Sequence, residues 1–213
     1  MKLAILASGT PPSHEIPVRI LRDSDRLIAC DGAWRTAIAL GRRPDAVVGD
    51  GDSLVAGDRE ELADLGIDLE IVSEQETNDL CKAFRYALSL LTDSCDDEIA
   101  ILGSTGRRED HSLGNIFHIV DFAASGKRVT IVTDHGIFEA VMPPGGRWTT
   151  GIGFPVSVFA PVPETAMSSE GLEWPLGGVS LDALWKGTLN RTNAESFSLT
   201  VDKPAILYLP HSI

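Results

Sequence analysis

The sequence predicts an α/β protein in which an N-terminal parallel-sheet domain precedes a smaller antiparallel β domain. Up to about residue 135, short apolar runs alternate with amphipathic helical patterns. Strands that alternate with helices form parallel sheets with helices on both faces. Beyond residue 135, glycine and proline residues separate short segments in which apolar residues alternate with polar ones, as in antiparallel strands. We therefore expect an α/β domain over residues 1–135 and a β domain over residues 136–213.

The spacing of apolar residues predicts the individual elements. Runs short enough to be buried strands occur at residues 3–7, 26–30, 46–49, 69–72, 98–102 and 128–133. Apolar residues at three- and four-residue spacing predict helices at 34–40, 59–65, 79–91 and 112–124. Thr77 or Asn78 can cap the start of the third helix. In the second domain, alternating runs predict strands at 156–160, 196–201 and 205–209.

Charge and composition argue against several classes of protein. The net charge of −13 disfavours nucleic-acid binding, which needs clustered basic residues. Cys30, Cys81 and Cys95 lack metal-binding spacing, so neither a zinc ribbon nor a disulfide framework is expected. The first apolar run is too short for a signal peptide, and no run approaches the roughly 18 residues of a membrane span. We therefore expect a cytoplasmic protein without nucleic-acid or membrane partners.

Two aspartates, Asp50 and Asp52, follow the apolar run at 46–49. Ligands of parallel α/β sheets bind beyond the carboxyl ends of the strands. Two carboxylates about 4 Å apart repel by roughly 4 kcal/mol at an effective dielectric of 20, so the pair needs a cation or a shared proton. Mg²⁺ prefers oxygen ligands and commonly takes one or two carboxylates plus substrate phosphates. Taken alone, the loop fits a magnesium site and a solvated acidic turn equally well.

A second loop, containing Gln75, Thr77 and Asp79, follows the run at 69–72 and precedes a predicted helix. The start of a helix offers unpaired N–H groups to phosphate. Lys82 lies on the same side of that helix as Asp79 and can pair with it or meet a phosphate. Taken alone, this segment is explained more simply by helix capping than by ligand binding.

The third loop, residues 103–111, combines glycine, hydroxyl and arginine residues after the run at 98–102. Glycine permits close approach of a phosphate, and arginine pairs with two of its oxygens. The Gly-Lys-Ser/Thr ending of a Walker A loop is missing. His111 could act as a base, although a structural role near a helix start is simpler. Three such loops at strand ends predict one shared site for metal and phosphate.

These motifs occur together in an order that resembles the thiamine pyrophosphokinase family. They are Asp31-Gly32-Ala33, residues 44–53, residues 75–82, and Arg108-Glu109-Asp110-His111 with Leu113 and Asn115. Further along, residues 171–176, Gly187-Thr188 and Thr192-Asn193 are similar to later segments of the same family. The resemblance therefore covers nearly the whole chain.

The resemblance implies a nucleotide-binding α/β domain followed by a β-sandwich, in a homodimer whose subunits share the thiamine site. The implied reaction transfers diphosphate from ATP to the hydroxyl group of thiamine, with Mg²⁺ as cofactor, and yields thiamine diphosphate and AMP. The hydroxyl group would attack the β-phosphorus, and Asp79 is the candidate acceptor of its proton. An acidic site also suits the cationic thiazolium ring.

The matched positions imply roles for individual residues. Metal and catalytic positions match Asp50, Asp52 and Asp79. Nucleotide-contacting positions match Asp31, Arg108 and Asp110, to which we add Gly32, Ser53, Lys82 and His111. Thiamine-contacting positions match Gln75 and, from the second subunit, Thr192 and Asn193; we add Thr77 and Trp174, whose ring could stack on a substrate.

The sequence departs from the family pattern at four positions. Gly51 stands where a bulkier residue is usual, and Glu76 replaces an aspartate. Arg107 replaces the second glycine of a Gly-Gly-Arg run, and Thr192 replaces a serine. Every carboxylate of the metal motif is retained. Two alternatives remain open: diphosphate transfer to another hydroxymethyl heterocycle, such as a pterin, and a non-catalytic nucleotide- or thiamine-binding protein.

Overall fold

The fold is that of a computed structural model that describes residues 1–92, 94 and 96–212. The chain forms two compact units. One comprises Met1–Ile116 and Lys127–Asp134, and the other comprises Phe117–Gly126 and the chain from His135 onward. Cys30 and Cys81 are buried free thiols. The expectation for Cys95 lies outside the described residues.

The first unit is built on six parallel strands, which confirms the predicted α/β class. They are β1 (Lys2–Leu6), β2 (Arg26–Cys30), β3 (Ala46–Gly49), β4 (Asp68–Ile71), β5 (Glu98–Leu102) and β6 (Arg128–Val132). Their order in the sheet is β6-β5-β1-β2-β3-β4. In register, Ile5 of β1 pairs with Ile28 of β2 and Ile101 of β5. The three side chains are fully buried, as expected for the middle of a parallel sheet.

The strand order reverses between β1 and β5. From β1 the chain adds β2, β3 and β4 on one side, and it then returns to place β5 and β6 on the other. The loops after β1 and β5 therefore lead away from each other. Such a reversal opens a crevice at the carboxyl ends of the strands, where open α/β sheets bind their ligands.

Five helices connect these strands: α1 (Glu15–Asp23), α2 (Trp34–Ala39), α3 (Asp58–Asp64), α4 (Asp79–Leu90) and α5 (Glu109–Ala123). Helix α4 packs on β1, β2 and β3 through the apolar stripe that the sequence predicts. Helix α5 begins three residues before its predicted start at 112. The spacing of apolar residues did not predict α1, which carries Pro17 in its first turn, where a missing N–H group does no harm.

The second unit consists of antiparallel strands: β7 (Gly136–Val141), β8 (Gly145–Thr149), β9 (Pro155–Phe159), β10 (Met167–Glu170), β11 (Asn190–Arg191), β12 (Ser196–Val201) and β13 (Ala205–Pro210). Strands β11-β9-β13-β7 form one sheet and β10-β12-β8 another. Val158 and Leu207 of the first sheet share a core with Phe197 and Leu199 of the second. This arrangement confirms the expected β-sandwich.

The alternation of apolar and polar residues predicted β9, β12 and β13 to within one residue. It did not predict β7, β8, β10 or β11. Strand β8 begins with two glycines, β10 has the polar sequence Met-Ser-Ser-Glu, and β11 is two residues long. No helix in the described part of the chain is both long and apolar enough to cross a bilayer.

Candidate active site

A cavity of about 430 Å³ lies in the first unit at the carboxyl ends of its strands. Its lining includes Ala7 after β1, Asp50 after β3 and Ser104 after β5. The second predicted loop contributes Gln75, Thr77, Asp79 and Lys82, and the third contributes Arg107, Arg108 and His111. The structure thus brings the three loops together at the reversal of strand order, as the sequence analysis expects.

Three carboxylates converge beside this cavity. Asp31, Asp50 and Asp79 each offer an oxygen atom, and the three oxygens lie within 4.8 Å of one another. Asp31 directly follows β2 and is buried, whereas Asp50 and Asp79 are partly exposed. The sequence analysis assigned Asp31 to nucleotide binding and did not foresee its position in this acidic group.

Asp31 also holds the loop that carries Asp50. Its Oδ2 accepts hydrogen bonds from the backbone N–H groups of Gly51, at 3.1 Å, and Ser53, at 3.3 Å. Its Oδ1 is buried and has no hydrogen-bond partner among the residues described. Burial raises the pKa of Asp31, and the nearby Asp79 carboxylate acts in the same direction, while the backbone hydrogen bonds oppose both.

Two glycines allow the loop to fold against Asp31. Gly51 has a φ of +83°, which L-residues with side chains rarely adopt. A Cβ atom at Gly49 would lie 2.7 Å from Cβ of Asp31, closer than real Cβ atoms approach one another. Glycine between Asp50 and Asp52 therefore suits the backbone conformation of this chain.

Asp50 is fixed by polar contacts from both sides. It accepts hydrogen bonds from the backbone N–H group of Asp52, at 3.2 Å, and from Nε2 of Gln75, at 3.1 Å. These two bonds and the ammonium group of Lys82 lower the pKa of Asp50. Asp50 is therefore held as an anion that faces the cavity.

The Lys82 side chain is almost completely buried between two of the carboxylates. Its Nζ lies 3.1 Å from Oδ1 of Asp79 and 3.4 Å from Oδ2 of Asp50. Burial alone would lower the pKa of Lys82, but the two carboxylates outweigh it, so the pKa is raised. The predicted pairing with Asp79 is confirmed, and the contact with Asp50 adds to it.

The acidic group fits a hard divalent cation such as Mg²⁺. All three groups offer carboxylate oxygens, the ligands that Mg²⁺ prefers. One lysine cannot neutralise three neighbouring carboxylates, and Oδ1 of Asp31 lacks a donor within the described chain. Asp52 is exposed, and its Oδ1 accepts a hydrogen bond from Ser53 Oγ at 3.1 Å. Asp52 lies outside the group found among the described residues, so its role as a ligand stays a prediction.

Helix α4 begins with the cap that the sequence predicts. The side chain of Asn78 accepts a hydrogen bond from the N–H group of Cys81 at 3.0 Å. Asn78 also donates to Oδ1 of Asn115 at 3.0 Å, and Asn115 donates to the carbonyl oxygen of Ser104 at 2.8 Å. The side chains of Asn78 and Asn115 therefore bind the loop after β5 to the start of α4.

Glu74, which the sequence analysis did not single out, organises the loop before α4. Its carboxylate accepts hydrogen bonds from the N–H groups of Glu76, at 2.8 Å, and Thr77, at 3.1 Å. It also contacts the Thr77 hydroxyl and Arg85. These contacts, led by the Thr77 hydroxyl, hold the pKa of Glu74 at about 2. The loop that carries Gln75 is thereby fixed by an ionised glutamate.

The loop after β5 supplies the basic side of the cavity. Arg108 donates to both oxygens of Asp110, with distances of 3.1 and 2.6 Å. This guanidinium group and the N–H group of His111 hold the pKa of Asp110 at about 2. Arg107, Arg108 and His111 line the cavity. Asp110, Gly32 and Ser53, which were also assigned to ATP, lie outside the lining found in the described chain. Asp110 pairs with Arg108, the N–H group of Ser53 donates to Asp31, and a Cβ atom at Gly32 would lie 3.4 Å from Cβ of Ser53. Their contacts with ATP stay predictions.

The residues predicted to bind thiamine from the second domain occupy different environments. Trp174 is half-exposed beside a separate hollow of about 290 Å³ within the second unit, and the Arg191 guanidinium lies 5.8 Å from its ring. Thr192 is buried, donates to the carbonyl oxygen of Gly151 and accepts from the N–H group of Phe154. Asn193 is exposed and donates to the carbonyl oxygen of Leu172 at 3.1 Å. Their contacts with substrate stay predictions.

Two family models match the sequence. The model of the thiamin pyrophosphokinase catalytic domain matches residues 18–131, and that of the thiamin pyrophosphokinase substrate-binding domain matches residues 136–208. None of the curated proteins compared with the chain matches it.

The fold is similar to several solved structures. The thiamine pyrophosphokinase of Bacillus subtilis is 20% identical, with 99% of each chain covered and a TM-score of 0.76. The thiamin pyrophosphokinase of Geobacillus thermodenitrificans is 21% identical, with 100% of this chain and 98% of that chain covered and a TM-score of 0.77. The yeast thiamin pyrophosphokinase is 12% identical, with 98% of this chain and 85% of that chain covered and a TM-score of 0.77. At these identities, the likeness shows the fold.

Proposed function

Because the chain belongs to the thiamin pyrophosphokinase family, we propose that it transfers diphosphate from ATP to the hydroxyl group of thiamine. The products are thiamine diphosphate and AMP. The observation that carries this proposal is the group of Asp31, Asp50 and Asp79 beside a cavity whose lining also includes Arg107 and Arg108. A metal-bound triphosphate needs both, because carboxylates hold the cation and guanidinium groups pair with phosphate oxygens.

Asp31, Asp50 and Asp79 would hold the Mg²⁺ ion, and Asp52 remains a further candidate ligand. When bound, Mg²⁺ offsets the negative charge of the phosphate oxygens during transfer. The hydrogen bonds from Gln75 and from the backbone of Asp52 orient Asp50 before the ion arrives. Such preorganisation reduces the rearrangement that the carboxylates need when they bind a ligand.

The transfer itself is a displacement at the β-phosphorus of ATP. The thiamine oxygen forms a bond to this phosphorus, while the bond from the phosphorus to the oxygen shared with the α-phosphate breaks. AMP leaves with the electron pair, and Asp79 accepts the hydroxyl proton or passes it to water. Lys82 contacts Oδ1 of Asp79 at 3.1 Å and holds this carboxylate in place, so that it can orient the hydroxyl group. Arg108 supplies fixed positive charge at the cavity for the phosphates.

We also propose that two copies of the chain form a homodimer with shared thiamine sites. The second unit exposes large apolar side chains over residues 174–189, with Trp185 72% and Leu189 82% exposed. Trp174, Val179 and Leu184 in the same segment are about half-exposed. Exposed apolar patches mark interaction surfaces. A sedimentation measurement that found a stable and fully active monomer would remove the shared-site model.

One assay separates this function from its alternatives. The protein is incubated with ATP and Mg²⁺, together with thiamine, a hydroxymethylpterin or no acceptor, and AMP is measured. Our proposal predicts AMP release with thiamine, and little with the pterin or without acceptor. AMP release with the hydroxymethylpterin and not with thiamine would indicate an enzyme that transfers diphosphate to a pterin. Binding of ATP and thiamine without AMP release would indicate a non-catalytic binding protein.

A further inference from the structure

We propose that Arg107, which lines the cavity, binds the nucleotide phosphates. The inference rests on the proposed function, since it concerns the same cavity. The ligand class is a nucleoside triphosphate or any linear polyphosphate of similar charge.

The two neighbouring arginines differ in their partners. Arg108 donates two hydrogen bonds to Asp110, which offsets its charge. Arg107 lines the same cavity, and no hydrogen bond or ion pair joins its side chain to any residue in the described ranges. A phosphate that meets Arg108 has to compete with Asp110. A phosphate that meets Arg107 competes only with water, so Arg107 is the more available guanidinium group.

The backbone around Arg107 is held in place. Gly106 has a φ of +92°, and a Cβ atom there would lie 2.4 Å from Oγ1 of Thr10. The Ser112 hydroxyl accepts from the N–H group of Gly106 at 3.2 Å and donates to the carbonyl oxygen of Arg108 at 2.9 Å. The chain on both sides of Arg107 is therefore anchored, and only the side chain has to become ordered when phosphate binds.

The charge of Arg107 discriminates between the two substrates. A guanidinium group pairs with two phosphate oxygens at once, and it repels the cationic thiazolium ring of thiamine. Arg107 should therefore contribute to the binding of ATP and not to that of thiamine. Removing it should raise KM for ATP and leave KM for thiamine unchanged or lower.

The test compares Arg107→Gln, Arg107→Lys and a control, Arg19→Gln, which changes an exposed arginine of α1 outside the cavity. Calorimetric titration with ATP and Mg²⁺, without thiamine, measures binding in the absence of turnover. We expect Arg107→Gln to raise Kd by about tenfold, as for a lost hydrogen bond to a charged group. Arg107→Lys should retain part of the affinity, and the control should bind like the wild type. Titration with inorganic tripolyphosphate should show the same order.

Each outcome has one meaning. If Arg107→Gln binds ATP and tripolyphosphate as tightly as the wild type, Arg107 is not a phosphate ligand, and the proposed function stands without it. If the wild type binds neither compound, the proposed function fails together with this inference. Because Arg107 is exposed, we expect the thermal midpoints of all variants to equal that of the wild type. Equal midpoints exclude unfolding as the cause of weaker binding.

Discussion

The ammonium group of Lys82 lies 3.1 Å from the carboxylate of Asp79, one turn earlier on α4. The lysine is 3% exposed, and its second contact is Asp50. A buried cation between two carboxylates partly balances the negative charge of the acidic group. The free protein and the metal-bound protein should therefore depend on Lys82 to different degrees.

Replacing Lys82 with methionine tests this dependence. Without Mg²⁺, we expect Lys82→Met to lower the thermal midpoint by about 3–6 °C, because the carboxylates lose their compensating charge. Added Mg²⁺ should restore most of the difference, and the variant should bind the ion more tightly than the wild type. Thermal melts at increasing Mg²⁺ concentration measure both effects. A loss of stability that Mg²⁺ does not reduce would show that Lys82 acts through packing alone.

The second prediction concerns the grouped carboxylates. Asp50→Asn and Asp79→Asn should each lower turnover by at least about 100-fold, because charge at the reacting phosphates is no longer stabilised. Their thermal midpoints without metal should stay near that of the wild type or rise, because repulsion is relieved. Steady-state rates and melts check the two statements separately.

Asp52→Asn is the informative comparison for these variants. If Asp52→Asn lowers turnover as much as Asp50→Asn does, Asp52 is a fourth metal ligand or a catalytic group. Turnover near the wild-type value would confine the metal site to Asp31, Asp50 and Asp79. Full activity of Asp50→Asn with ATP and Mg²⁺ would contradict the metal assignment as a whole.

Glu74 provides a third prediction, since it acts on the site only through the loop it holds. Glu74→Gln removes the charge that fixes Thr77 and Arg85, so Gln75 should be less well positioned. We expect KM for thiamine to rise by roughly three- to tenfold, with a smaller change in kcat. Glu76→Gln is the matched control, because it alters an exposed neighbour whose N–H group keeps its bond to Glu74. Equal effects of the two substitutions would argue against a positioning role.

Acid stability gives a fourth prediction, at the start of α3. The guanidinium group of Arg35 donates two hydrogen bonds to Asp58 and is the main reason that the pKa of Asp58 lies at about 2. Because an unfolded aspartate has a pKa of about 3.9, the stabilisation is complete above that value. It is lost as the pH falls through about 2.

Thermal melts of the wild type and Asp58→Asn between pH 2 and 7 measure this contribution. The wild type should be more stable at neutral pH, and the difference should shrink below about pH 4. Other carboxylates titrate in both proteins and cancel in the comparison. A difference that does not vary with pH would mean that Asp58 stabilises the fold by its shape rather than by its charge.

Most strands of the first unit could be predicted closely because buried parallel strands carry nearly continuous apolar runs; β4, with the sequence Asp-Leu-Glu-Ile, is the mostly exposed exception. Strands β2, β3 and β5 have the predicted bounds, and β1, β4 and β6 differ by one residue at one or both ends. Ligands of parallel α/β sheets bind beyond the carboxyl ends of the strands. This rule predicted that three separate loops share one site, and residues of all three line one cavity. Helix α1 was missed because its apolar stripe is short and interrupted by arginine and aspartate.

The composition of the acidic group was harder to foresee. Asp31 follows β2 directly, so the same strand-end rule could have indicated it, but the sequence does not show which way its side chain points. Asp50 and Asp52 look equivalent in the sequence, whereas in the structure Asp50 and not Asp52 joins Asp31 and Asp79 in the acidic group found among the described residues. Glu74 depends on Arg85, eleven residues away, and such a contact has no local signature.

The most direct test of the proposed function follows all phosphorus-containing species by ³¹P NMR while the protein acts on ATP, Mg²⁺ and thiamine. The transfer of an intact diphosphate predicts that AMP and thiamine diphosphate appear in equal amounts, that neither appears without thiamine, and that both form at least about 100-fold more slowly with Asp50→Asn. Formation of ADP with thiamine monophosphate, or of ADP with inorganic phosphate, would contradict the account, because either result places the attack at the γ-phosphorus.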